Sequence, residues 1–191
     1  KLPEPICKGY ALPSPPSKAT PSMVPLKSIT QVFYLDRKPN APQRIAILLE
    51  HLIFCAVGSS ETETRQTHIV QPEETTLYPE IPSSHAQQML QKWLTFFNLG
   101  QTRPLPFFAK TSLAAAEAYG KKQSWEDALN KAKESYHGNK VSKGQKDYTE
   151  VALVFGNEDT EPVEGALFQS LVEELLIPLL DAVKEESSDA A

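Results

Sequence analysis

Apolar positions along the chain fall into blocks of different period, and the blocks predict the elements. Ile29-Thr30-Gln31-Val32-Phe33-Tyr34-Leu35 is short, β-branched and aromatic, which predicts a strand. Asp36 to Asn40 ends it. Asn40 offers an N-cap and Pro42 suits a first helical turn, so a helix is expected to about Val57, with Gly58 as its stop. Ile45, Ile47, Leu48, Leu49, Leu52, Ile53 and Phe54 make that helix apolar around most of its circumference, as in a central buried helix. Thr67-His68-Ile69-Val70 and Thr75-Thr76-Leu77-Tyr78 are strand-like runs split by the turn signal Gln71-Pro72-Glu73-Glu74, which predicts a hairpin.

Helical spacing returns at Met89, Leu90, Trp93, Leu94 and Phe97, after a capping-box pattern of Ser84 and Gln87 and before Gly100. These aromatics read as core. If the Trp93, Phe96 and Phe97 cluster is only partly buried, it marks an interface. Pro104 to Phe108 is an extended apolar connector. Thr111 or Ser112 is expected to cap a short alanine-rich helix to Tyr119, and Ser124 another over Trp125 to Tyr136. Gly138 to Gln145 is a polar, basic loop. Asp147 to Phe155 fits a short helix or a strand. Leu167, Leu171, Val172, Leu175, Leu176, Leu179, Leu180 and Val183 repeat as one helix, which Pro178 should bend because its ring meets the preceding turn.

Seven prolines among residues 1–27 oppose a packed element there and favour an extended arm or linker that drapes over a surface. The expected organisation is an arm over 1–27, a domain over 28–186 and a frayed tail over 187–191. The chain opens on Lys1 with no charged-then-apolar leader, which suggests a start within a longer protein. A length of 191 residues suits one domain plus an arm. No apolar run reaches membrane length, the longest candidate being broken by Glu50 and His51. Cys7 and Cys55 are too few for a disulfide scaffold and lack zinc-site spacing, so a reduced, buried Cys55 and a cytoplasmic setting are expected.

The net charge of −5 hides an asymmetry. Residues 101–147 hold nine Lys and Arg against five Asp and Glu, whereas residues 148–191 hold one against eleven. The basic middle suits phosphate, and Arg103, Lys110, Lys121, Lys122, Lys140, Lys143 and Lys146 are the candidate DNA contacts. The acidic end would repel DNA.

Catalytic motifs are sparse. No Gly-x-Ser-x-Gly, His-Glu-x-x-His or phosphate-loop pattern occurs. His51, His68, His85 and His137 do not cluster in sequence. Asp36-Arg37-Lys38 at a strand end, followed at once by a long apolar helix, resembles one half of a PD-(D/E)XK nuclease core. In that family the carboxylate holds Mg²⁺ and the lysine positions the attacking water. The other half is missing, because no Asp or Glu lies between Glu4 and Asp36, and one carboxylate makes a poor Mg²⁺ site. Asp36 and Lys38 are therefore weak catalytic candidates, and neither a catalytic set nor a metal site is expected.

Four pieces, in this order and spacing, are similar to the C-terminal domain of the gamma subunit of exodeoxyribonuclease V, the RecC subunit of RecBCD. They are Leu49-Glu50-His51-Leu52-Ile53-Phe54-Cys55-Ala56-Val57-Gly58, Pro104-Leu105-Pro106-Phe107-Phe108-Ala109-Lys110-Thr111, Tyr136-His137-Gly138-Asn139 and Leu176-Ile177-Pro178-Leu179-Leu180. The resemblance implies an α/β, mixed α+β fold: a degenerate nuclease-like core with a small sheet flanked by helices. It also implies a non-catalytic scaffold that holds RecB-type and RecD-type partners and channels unwound strands in double-strand break repair and recombination. Double- and single-stranded DNA would meet it in the complex, in the bacterial cytoplasm and away from membranes. ATP and Mg²⁺ would belong to the partner subunits, with no cofactor in this chain. The alternatives are a Mg²⁺-dependent nuclease using Asp36 and Lys38, or a protein-interaction domain without DNA contact.

Overall fold

A computed structural model of the chain describes residues 27–58, 63–138, 143–156 and 161–184. The proline-rich arm, the tail and part of the expected loop at 138–145 lie outside those residues.

Strand β1 (Lys27–Tyr34) runs parallel to β2 (Glu63–Val70), and β3 (Thr75–Tyr78) returns antiparallel to β2, giving the sheet order β1-β2-β3. The expected hairpin is therefore present, with β2 starting four residues before Thr67. Helix α1 (Ala41–Ala56) makes the connection between the parallel strands. Asn40 and Gln43 form a reciprocal capping box at its start, with Pro42 in the first turn. Ile45, Ile47, Leu48, Leu52 and Cys55 are buried, while Ala46, Glu50, Ile53 and Val57 form an exposed strip at helical spacing. The helix is central, with one side left to solvent.

Helix α2 (Ser83–Gly100) starts at Pro82 with no side-chain cap. The expected Ser84–Gln87 box does not form. Gln87 instead donates to the Ala56 carbonyl at 2.9 Å, and Ser83 Oγ donates to the same oxygen at 3.1 Å. Both residues close the open C-terminal end of α1. Ala86 and Met89 are buried, but Leu94 and Phe97 are 53% and 63% exposed, so the aromatic stripe expected as core is only half core. Trp93 packs edge-on to Phe107 at 5.7 Å.

Helix α3 (Ala109–Lys122) begins before the expected caps, with Phe108 at its N-cap. Thr111 and Ser112 lie buried in its first turn, and Ser112 Oγ accepts the Phe108 N–H at 3.2 Å. Ser124 does cap α4 (Trp125–His137), accepting from the Asp127 N–H at 3.3 Å. Thr149–Phe155 resolves the strand-or-helix ambiguity as helix α5.

The closing helix is three segments: α6 (Ala166–Leu171), a π-helical turn over Val172–Leu176, and α7 (Ile177–Ala182). The Ile177 N–H donates to the Val172 carbonyl, five residues back. Pro178 explains the widening. It lacks an N–H, and its ring would strike the Glu174 carbonyl of a regular α-turn. Phe168, Leu171, Val172, Leu175, Leu176 and Leu179 are nonetheless buried, so the wider turn keeps the apolar face inward. The described molecule is thus a mixed α/β domain with a small three-stranded sheet.

Candidate functional site

Because β1 and β2 are parallel, their carboxyl ends lie at one edge of the sheet. The N-terminus of α1, the side of α3 and the end of α7 meet there around a cleft of about 770 Å³. Such crevices at strand ends are where open α/β sheets bind ligands. Lys38 enters from the β1–α1 connection, Arg44 from α1, Lys110 and Lys121 from α3, and Lys184 from just beyond α7. Three acidic side chains, Glu74, Glu117 and Asp181, accompany these five cations.

Several of the charges are committed. Arg44 pairs with Glu117 and hydrogen-bonds the buried Tyr78 hydroxyl. Burial raises the Tyr78 phenol above its usual value, with Arg44 opposing, so the ring stays neutral. Lys184 pairs with Asp181 one turn away. Lys38 and Lys121 are exposed and make no ion pair among the described residues. Lys110 and Lys121 are eleven positions apart on α3, about 16 Å along the axis at about 1.5 Å per residue. The arrangement suits a charged, extended ligand rather than a single small anion.

Of the seven candidate DNA contacts, only Lys110 and Lys121 reach this cleft. Lys122 is bound to Asp127 at 2.7 Å, which holds that carboxyl below the usual range. Lys143 lies over the Tyr148 ring at 5.3 Å and bridges to Gly138. Lys146 is exposed in the short turn Gln145–Asp147, which docks on α3 where Gln145 accepts the Thr111 N–H at 2.8 Å. Arg103 is exposed beyond the end of α2, and Lys140 lies outside the described residues. Arg44 and Lys184 were not foreseen. No spacing links positions 38, 44, 110, 121 and 184 until the sheet and α3 bring them together.

Lys38 thus lines the cleft while Asp36 is not part of its wall, although both are exposed. Among the described residues no three His, Cys, Asp or Glu gather as a metal site would require. Asp36 therefore lacks companions for the oxygen shell that Mg²⁺ prefers, and the donor set does not fit a nuclease metal.

His51 is fully buried. Its Nε2 lies 2.9 Å from the Pro79 carbonyl, which can only accept, so Nε2 carries the hydrogen. Nδ1 then accepts from Thr67 Oγ1 at 2.8 Å. Thr67 Oγ1 is in turn 3.2 Å from the Gln31 side-chain oxygen. The single Thr67 hydrogen cannot serve both, and a half-turn of the Gln31 amide presents its nitrogen as donor. Burial lowers the His51 pKa and raises that of Cys55, whose sulfur lies 3.7 Å from His51 Nε2. A neutral imidazole beside a protonated thiol is a structural seam between α1 and the sheet, not an activated nucleophile.

The fold and the site together define a small mixed α/β domain whose surface chemistry is a cationic cleft rather than gathered carboxylates. Residues 20–120 match the family model of the RecC C-terminal domain, which is more than half of the chain, and the chain belongs to that family. RecC is the gamma subunit of exodeoxyribonuclease V, which sets the domain in DNA repair and in a complex of several subunits. The match takes in the sheet, α1, α2 and most of α3, and ends before the Tyr136-His137-Gly138-Asn139 turn and the closing Leu176–Leu180 run. No curated protein matches the chain. No helix among the described residues is long and apolar enough to cross a membrane.

Proposed function

We propose that this domain is a non-catalytic scaffold and strand-guiding element of an exodeoxyribonuclease V gamma subunit, its β1-α1-β2 unit a degenerate nuclease-like core. It acts in the bacterial cytoplasm, holding RecB-type and RecD-type subunits that supply ATP- and Mg²⁺-dependent chemistry. The observation that carries the reading is the cleft at the strand ends. Five cations line it against three carboxylates, and among the described residues no group of three His, Cys, Asp or Glu gathers as a metal site would require, which supports a phosphate-facing surface over a metal centre. Lysines in that position meet backbone phosphate without reading bases, which suits passage of any sequence.

The test is calorimetric titration of the full chain with a purified RecD-type subunit, with and without forked DNA. Tight binding in the absence of DNA supports the scaffold role. Failure to bind either RecB-type or RecD-type subunit, under conditions where those two bind one another through full-length RecC, would sink it.

A further inference from the structure

Helix α3 sets Lys110, Glu117 and Lys121 on one side, because steps of seven and four residues return to the same face. All three line the cleft. Glu117 therefore interrupts the line of lysines, about 10 Å along the axis from Lys110 and about 6 Å from Lys121. An anion at that place opposes the phosphate that the two lysines attract.

Arg44 is what Glu117 meets there. The guanidinium reaches across from α1, pairs with Glu117 and also hydrogen-bonds the Tyr78 hydroxyl. The two holds differ in kind. Tyr78 is buried in β3 and its phenol stays neutral, so it fixes the guanidinium without cancelling its charge. Glu117 cancels the charge from an open position, since the Arg44 and Glu117 side chains are 35% and 39% exposed. Water screens such a pair and leaves it weak. A guanidinium also grips phosphate with the same fork of N–H donors that it offers a carboxylate. A phosphate arriving over the lysines can therefore take the place of the carboxylate while Tyr78 keeps Arg44 aimed into the cleft.

We propose, on the strand-guiding reading above, that Glu117 is a built-in competitor for strand phosphate: an incoming backbone phosphate displaces it from Arg44, which then becomes the middle contact between Lys110 and Lys121. The exchange suits a strand in passage. Each phosphate that leaves returns Arg44 to Glu117, so departure uncovers no unpaired charge, and the strand is held loosely at every step.

The test is binding of fluorescent oligodeoxythymidylate to the full chain, followed by anisotropy over a series of salt concentrations. Glu117→Gln removes the competitor, so affinity should rise about two- to fivefold, the worth of a part-exposed ion pair. The slope of log affinity against log salt should not change, because Arg44 already meets phosphate in the wild type. Arg44→Gln combined with Glu117→Gln should make that slope shallower than wild type by about 0.7, one lost contact to a single strand. An affinity that Glu117→Gln leaves unchanged would overturn the proposal, as would a double variant that keeps the wild-type slope. So would a slope that Glu117→Gln steepens by about 0.7, which would mean that Arg44 stays on Glu117 in the wild type. If the double variant does not fold, the affinity and slope of Glu117→Gln decide by themselves. Any of these adverse results, with salt-sensitive binding by the wild type, removes the exchange and keeps the strand-guiding reading. Absence of binding by both wild type and Glu117→Gln removes both.

Discussion

His51 sits where a charge has no counter-ion. Cys55, the Tyr78 ring, Thr67 and the Pro79 carbonyl surround it, and none is anionic at neutral pH. Its pKa is lowered from 6.5 by desolvation, partly opposed by the Pro79 carbonyl. The unfolded chain therefore binds the proton more readily than the folded one near that pH, and unfolding is favoured as pH falls. Stability from this residue is complete above about 6.5 and is lost progressively below it, down to the depressed folded pKa. Urea unfolding of the full chain between pH 8 and 5 should show a falling midpoint below about 6.5. His51→Gln should lower the unfolding free energy at pH 7.5 by about 1–3 kcal/mol, since buried partners lose a bond, and should flatten the acid-side fall. An unchanged acid slope in that variant would assign the pH dependence to other groups.

Elements were legible in the sequence wherever local chemistry decides them. The Asn40 cap, the Ser124 cap and the Gln71–Glu74 turn all act within four residues, and each forms as local pattern predicts, Gln43 adding a reciprocal bond to the Asn40 cap. Gln87 shows where that logic stops. Local pattern pairs it with Ser84 in a box, but the Ala56 carbonyl, 31 positions earlier, is the acceptor that tertiary packing presents. The Leu94–Phe97 half of α2 fails for the same reason, because helical spacing finds an apolar stripe and not whether anything lies against it. The π turn was legible in cause though not in form, since Pro178 forbids a regular turn without stating how the helix will accommodate it. Gln87→Ala tests the shared cap. It should cost about 0.5–1.5 kcal/mol, the usual net worth of such a bond, and should raise amide exchange in the last turn of α1. Ser83 retains a bond to the same carbonyl, so a loss well above that range would mean Gln87 holds α2 in place by other contacts.

At the scale of the whole molecule, charge counting located the basic middle of the chain but not the surface it serves. Composition placed nine cations in one segment, seven of them candidate DNA contacts. The fold sends two of them, Lys110 and Lys121, to the cleft, fixes Lys122 against Asp127, and recruits Lys38, Arg44 and Lys184 from outside the basic segment. Two sets of variants therefore make different predictions. Phosphate contact releases counterions, so each lysine engaged with single-stranded DNA contributes about 0.7 to the slope of log affinity against log salt. Lys38→Glu, Lys110→Glu and Lys121→Glu together should flatten that slope by about 2 in the assembled complex and weaken strand binding without altering subunit association. Lys122→Glu, which removes a cation already neutralised by Asp127, should leave the slope nearly unchanged. All four side chains project from one region of the sequence or its immediate structural surroundings, so a general effect of negative charge would move both sets alike. If Lys122→Glu flattens the slope as much per charge as the cleft triple does, the cleft is not the path of the strand. If neither set moves it, the domain meets only protein and the strand-guiding part of the proposed function falls, leaving the scaffold role to stand on partner binding alone.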